Sequence, residues 1–466
     1  MIHIDKKLAP TDLLPFIERF WARSGECIDA VERSCPPGGA SPVFTKRGRY
    51  TSQGWTEWTQ GFQYGSALLQ FDATGDERFL ELGRERTVAV MASHVTHFGV
   101  HDHGFNNVST YGNLWRLMNE GRIAEDAWER RFYELALKAS GAVQAARWST
   151  TADGTGYIYS FNGPQSLFVD TIRSCRSLAV AHQLGHVLMG ERDQRISLLA
   201  RLVEHATNTA RYNIWYGEGR DTYDVAGRTA HESVFNTNGG DYRAPSTQQG
   251  YSPFSTWTRG LAWAMLGFAE QLEWLATRSE DELAAVGGRI AVNTTLLKAA
   301  RATCEFYIRE TPTCGVPYWD TGAPGLAKMG HYRERPADPF NDHEPVDSSA
   351  AAIAAQGLLR LGNYLVYEQG ELEAGSRYVE AGLTVVKTLL DDPYLSIDAD
   401  HEGLILHSVY HRPNGWDYVP PGRAAPCGEA SMWGDYHARE VALYVERLAE
   451  AAPYYTFFGP ATDRHT

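Results

Sequence analysis

The chain has 466 residues, with 43 Lys or Arg against 57 Asp or Glu, and a formal charge of −14. That sign excludes a protein that coats nucleic acid or an anionic membrane. A content of 43% hydrophobic and 21% charged residues excludes a disordered chain, and 13 Trp can furnish both a core and a sugar-stacking cleft.

The first residues, Met1-Ile-His-Ile-Asp-Lys-Lys-Leu8, have no apolar stretch of the secretory kind, and no run approaches the ~18 apolar residues of a membrane span. Cys27, Cys35, Cys175, Cys304, Cys314 and Cys427 lie far apart without CxxC spacing. They read as free thiols of a reducing compartment, so a cytoplasmic protein is expected. No membrane or nucleic-acid partner is expected either.

A hydrophobic period near 3.6 dominates, and it predicts twelve helices. They fall near 12–31, 58–73, 76–98, 106–119, 126–146 and 165–184, then 190–212, 255–276, 289–310, 347–367, 371–390 and 432–450. The odd-numbered helices carry charge on one side, as in Glu77–Met91 and Ala127–Ser140. The even-numbered ones are rich in small residues, as in the stretch from Ser348 to Leu359. Small residues let helix backbones approach closely, which suits an inner ring, whereas amphipathic helices suit an outer one. Six of each in alternation make an all-α (α/α)6 barrel, read as one catalytic domain over residues 1–466. Segments 147–164, 213–254, 311–346 and 391–431 are long loops, which inside a compact domain tend to be functional.

The unusual residues cluster where even helices begin. Trp58-Thr-Gln-Gly-Phe62 opens the second helix, His101-Asp-His-Gly-Phe105 precedes the fourth, and Asp170 lies near the start of the sixth. Gln249-Gly-Tyr251 and Ser255-Thr-Trp-Thr-Arg259 open the eighth, Asp347-Ser-Ser349 the tenth, and Met432-Trp-Gly-Asp-Tyr436 the twelfth. In an alternating barrel these ends share one mouth, where unpaired N–H groups favour an anionic ligand. Asp347 and Ser348 read equally well as simple helix caps. Asp102 and Asp170 would face each other across the mouth, and paired carboxylates at a sugar cleft supply general acid and base. His101 and His103 flank Asp102, but no HExxH or zinc-type spacing occurs, so no metal is expected. No GxSxG nucleophile motif occurs.

In this order, the clusters resemble the unsaturated glucuronyl hydrolases of glycoside hydrolase family 88. Further matching stretches are Phe168-Val-Asp-Thr171, His231, Pro317-Tyr-Trp-Asp320 and Leu404–His411, so the resemblance spans about residues 12–450. It implies an (α/α)6 barrel without cofactor, acting on 4,5-unsaturated uronyl oligosaccharides left by polysaccharide lyases. The reaction it implies is hydration of the C4=C5 vinyl ether. Asp170 matches the general acid/base and Asp102 the second essential carboxylate. His231, Gln249 and Arg259 match residues around the uronate, with Arg259 as the two-point partner of its carboxylate, and His101, in the matching stretch His101–Phe105, is a further candidate for substrate binding. Trp58, Phe62, Trp257 and Trp263 match aromatic walls. The oligomer is read as monomer or homodimer.

Two departures stand out. Arg173 lies one turn after Asp170, where a facing cation would lower the acid's pKa, unless it points outward or binds a sulfate. His103 replaces an apolar residue. Arg412 and the Arg423 region are further candidates for a sulfate contact. The alternative activities are an unsaturated rhamnogalacturonyl hydrolase acting on pectin fragments and a sugar-binding protein without turnover.

Overall fold

In the computed structural model, which describes residues 1–460, twelve long helices alternate between two concentric rings. The outer ring comprises α1 (Leu14–Ser34), α3 (Glu77–Val90), α5 (Ala127–Ala146), α7 (Leu198–Tyr212), α9 (Arg289–Glu310) and α11 (Leu372–Leu389). The inner ring comprises α2 (Gln60–Thr74), α4 (103–119), α6 (171–183), α8 (Thr258–Ala276), α10 (Ser348–Tyr367) and α12 (Met432–Ala449). Consecutive inner helices pack on each other, and α12 closes the ring against α2. The expected (α/α)6 barrel of six inner and six outer helices is therefore borne out.

Burial explains the alternation. From Thr258 to Leu275 every residue of α8 is buried, and likewise Ser348 to Leu365 of α10, as a helix walled on all sides requires. Glycines set the spacing at the inner joints. A β-carbon on Gly61 would lie 2.3 Å from the Asn106 carbonyl oxygen, and one on Gly104 would lie 2.2 Å from that of Ser174. Backbone thus touches backbone between α2 and α4, and between α4 and α6. Three outer helices begin on ordinary caps: Asp76, Asp126 and Ser197 each accept from the first backbone N–H groups of α3, α5 and α7.

The structure departs from the periodicity in four places, the first being helix α3, which ends at Val90 rather than near residue 98 and is followed by a separate turn at Ala92–Val95. Helix α6 starts at Thr171, because Ser166–Phe168 forms a strand that pairs antiparallel with Glu232–Phe235, which pairs in turn with Tyr242–Ser246. Helix α7 starts at Leu198, since Leu188–Met189 and Arg195–Ile196 make a small hairpin ahead of it. Helix α4 begins earlier than expected, at His103, and contains a π-helical turn at Val108–Gly112. The three-stranded sheet carries Asp170, two residues past Phe168, to the mouth of the barrel.

Candidate active site

A cavity of about 400 Å³ opens at the ring of inner-helix N-termini, with Asp102, Asp170, His101, Trp58, Trp257 and Trp263 in its wall. Asp102 and Asp170 occupy the residues just before α4 and α6, yet neither side chain caps its helix. Asp347 does the opposite: Ser349 N–H and Ala350 N–H donate to it, at 3.1 and 3.3 Å. Three aspartates thus stand at equivalent places in the barrel. Two leave their carboxylates to the cavity, while the third is a cap.

Both cavity carboxylates are only 8% exposed. Burial pushes each up to about 7. For Asp170 the neighbouring charge of Asp102 adds to the rise, opposed by its own backbone N–H and by Arg259. For Asp102 the opposing charges are Arg147 and His97. A pair poised near neutrality can hold one proton between them, so that one member donates while the other stays charged.

Histidines surround the pair. His231 Nε2 lies 3.6 Å from Asp170 Oδ1, and His101 Nε2 lies 3.7 Å from Asp102 Oδ1. Burial lowers His101 to about 3 and His231 well below its ordinary value, so both rings are neutral at pH 7. The His231 tautomer is set by the loop before α8. Gln248 N–H donates to its Nδ1 at 3.1 Å and Gln249 N–H approaches it at 3.4 Å, which places the ring proton on Nε2, toward Asp170. Neither that Nε2, nor Asp170 Oδ1, nor either nitrogen of His101 has a hydrogen-bond partner among the described residues. Buried polar atoms of this kind are normally satisfied; Asp170 and His101 line the cavity, whereas His231, expected to touch the ligand, is fully buried behind Asp170 and outside the lining. His101 and His103 point apart. His103 turns from the mouth to Ser140 Oγ at 3.0 Å and to the His97 carbonyl at 3.1 Å.

Aromatic side chains supply the walls. Trp58 stacks on Trp433 at 5.0 Å and 27°, and its indole N–H donates to Tyr410 Oη at 3.3 Å. His231 packs between Phe168 and Trp257, at 4.4 and 4.6 Å between ring centres. Trp263 both lines the cavity and packs on Phe105 at 4.9 Å. Phe62, expected as a wall, is fully buried behind Trp58 and Phe105 against Tyr436 and His437. It supports the wall without facing the cavity, because its position in the first turn of α2 turns it toward α12.

Arg259 also differs from expectation. It lines the cavity, but its guanidinium is already engaged. Nη1 donates to Asp347 Oδ2 at 2.9 Å and to the Val409 carbonyl at 2.5 Å. Nη2 donates to Gln249 Oε1 at 2.8 Å and to the Tyr410 carbonyl at 2.7 Å. All four Nη hydrogens are spent, so no two-point fork remains for a ligand carboxylate. The flat group instead lies between Trp257 and Trp433, at 4.6 and 4.9 Å from the ring centres. It ties the loop after Leu404 and the Gln249 loop to α10.

Arg173 does not act on Asp170. It points down the barrel axis, with Nε 3.1 Å from Glu270 and Nη2 2.6 Å from Glu440, and all three side chains are fully buried. Nor does Arg423 reach the cavity; it stacks over Phe340 and donates to that residue's carbonyl. Several lining residues had no motif to mark them: Glu57, Phe161, Gln248, Asn414 and Trp416. Two of the long loops, 147–164 and 391–431, supply Phe161, Asn414 and Trp416, and loop length was the one signal available for them.

The fold is an α/α barrel with two buried, paired carboxylates at its mouth, an arrangement able to supply a general acid and a general base. No family model matches the chain. It is similar to the unsaturated glucuronyl hydrolase of Bacillus sp. (strain GL1), 28% identical over 402 residues, which cover 84% of this chain and 87% of that protein. It is also similar to the unsaturated glucuronyl hydrolase of Formosa agariphila, 24% identical over 387 residues, covering 82% and 78%. The solved structure of the Bacillus sp. GL1 enzyme superposes with a TM-score of 0.68 at 24% identity, covering 95% of this chain and 98% of that one. These relatives bear out the resemblance read from the motifs.

Proposed function

We propose that the protein is an unsaturated glucuronyl hydrolase, a single catalytic barrel that removes a 4,5-unsaturated uronic acid from the non-reducing end of lyase-generated oligosaccharides. The observation that carries this reading is the pair of uncapped, buried aspartates, both raised to about 7 in one aromatic-walled cavity. The names of the similar proteins support it. Neither the site nor these relatives favour a rhamnogalacturonyl hydrolase.

Asp170, in its protonated form, gives its proton to C4. The C4=C5 electrons form the new C–H bond, and positive charge develops on C5 and the ring oxygen. Asp102, ionised, stabilises that charge in a dry site where electrostatic terms are large. Asp170, now a carboxylate, takes a proton from water as the water oxygen bonds to C5. The resulting hemiketal opens by breaking the bond from C5 to the ring oxygen. C5 becomes a ketone and its hydroxyl proton passes to the ring oxygen, leaving a hemiacetal at C1 that collapses to an aldehyde as its proton passes to the glycosidic oxygen and the leaving sugar departs as an alcohol. The His231 Nε2–H, held in place from behind by Gln248 and Gln249, faces Asp170 Oδ1 at 3.6 Å and positions that carboxyl rather than touching the substrate. Trp58, Trp257 and Trp263 exclude solvent and stack on the rings.

The test is turnover of an unsaturated disaccharide, followed as loss of the ultraviolet absorbance of its double bond. Asp170→Asn should lower kcat by at least about a hundredfold, the usual worth of a general acid/base. Retention of activity in this variant would remove Asp170 from the role assigned to it. Tight binding of the disaccharide by the unaltered protein without any turnover would favour a sugar-binding protein instead.

A further inference from the structure

We propose that Glu57 makes this cavity discriminate against leaving sugars that carry sulfate, so that its preferred substrates are unsulfated. The inference rests on the reading of the site as an unsaturated uronyl hydrolase. Among the described residues, the charged groups lining the cavity are Glu57, Asp102, Asp170 and Arg259. The single cation among them is balanced by Asp347 at 2.9 Å and has no Nη hydrogen left to give. The histidines of the wall do not supply a replacement, since burial lowers His101 to about 3 and His411 to about 4. Arg412 and Arg423, the basic residues of the adjoining loop, lie outside the lining.

The arrangement has a direction. Asp102 and Asp170 sit deep, 8% exposed, so the reacting uronyl ring occupies the inner end. The leaving sugar therefore extends toward the outer lining, where Gln53 and Asn414 are exposed and Glu57 and Gln248 are half-buried. Three of these four are neutral amides, and the fourth is a carboxylate without an ion-pair partner among the described residues. Hydroxyl and acetamido groups can donate to Glu57. A sulfate oxygen can only accept, and it brings a second negative charge. Repulsion between two such charges at a partly desolvated site separated by about 8 Å corresponds to at least about a tenfold loss in kcat/KM. Burial raises Glu57 and the charge of Asp102 raises it further, which shows the two carboxylates to be within electrostatic reach of each other.

The experiment compares kcat/KM for unsulfated, 4-sulfated and 6-sulfated unsaturated chondroitin disaccharides, using the full chain and its Glu57→Gln and Glu57→Lys variants. The unaltered protein should prefer the unsulfated substrate by at least about tenfold over both sulfated ones. The preference should shrink at least fivefold in Glu57→Gln, and further in Glu57→Lys. A merely structural role for Glu57 would lower all three rates together and leave their ratio fixed. Equal rates on sulfated and unsulfated substrates in the unaltered protein, or a ratio unmoved in both variants, overturns the inference while leaving the hydrolase reading intact. Failure to turn over any of the disaccharides would count against that reading itself.

Discussion

Keeping Asp102 and Asp170 buried without a counter-ion costs stability, and that cost can be measured. Each carboxyl is raised to about 7 in the folded chain, against an ordinary value of 3.8. Raised groups contribute stability that is fully present below the unfolded pKa and lost as pH rises through the folded one. Between about pH 4 and 7 the native state therefore progressively loses what the protonated carboxyls gave it. Asp170→Asn should raise Tm by a few degrees at pH 8 and by less at pH 5, as expected where function is held at the expense of stability. A Tm lowered at both pH values would show that the carboxylate is structural. Activity should follow a bell-shaped pH profile centred near neutrality. At low pH both groups are protonated and none stabilises the cation; at high pH both are ionised and none donates. Arg259→Lys belongs at this scale too. A lysine cannot serve the four acceptors that Arg259 reaches, so on the order of 3 kcal/mol of stability should be lost. A Tm unchanged while KM rises would instead make Arg259 the carboxylate fork. Residue identities alone could not settle these roles. Asp102, Asp170 and Asp347 look alike in the sequence, and only the direction of the side chain separates cap from cavity. For Arg259 and Arg173, the partners that consume the charge come from remote segments.

At the scale of elements, the mouth depends on close helix contacts. Gly104 follows Asp102 by two residues and packs on the carbonyl of Ser174, four residues past Asp170. Gly104→Ala should force α4 and α6 apart and shift one carboxylate against the other. We expect a loss of activity larger than the accompanying fall in stability, read as kcat against Tm; a variant with reduced Tm and full kcat would show that the joint does not position the pair. The helices themselves were legible, since burial on all sides versus one side leaves a plain compositional trace, and α9 matches its expected bounds, residues 289–310. The strand Ser166–Phe168 was not legible. Its apolar residues continue smoothly into the helical pattern of α6, and its partner at Glu232–Phe235 is more than sixty residues away. Local periodicity carries no information about such a pairing.

Across the whole molecule, the end of the barrel opposite the cavity is closed by the segment after α12. Tyr455 donates to Glu440 at 2.9 Å and accepts from Arg176 Nη2 at 3.2 Å, while its carbonyl accepts from Arg360 at 2.9 Å. Its ring also lies under Arg116, at 4.7 Å. This one residue thus links charged side chains of four inner helices. Tyr455→Ala should cost about 3–5 kcal/mol, seen as a lower denaturation midpoint, whereas a change within 0.5 kcal/mol would show that the inner ring holds without it. The acidity seen in the composition also reaches inward. Excess negative charge is not confined to the outer helices, because three carboxylates line the cavity itself. Recognition of an anionic substrate there has to rely on protonated carboxyls and neutral N–H donors. The most direct test of this chemistry is to run the reaction in D2O at neutral pH and follow C4 of the first-formed uronyl product by NMR. Proton delivery by Asp170 from one fixed side should place a single deuterium at C4 as one epimer, with the double bond gone. A first-formed product that keeps its double bond, or that carries deuterium in both epimers equally, would contradict enzymatic hydration at Asp170.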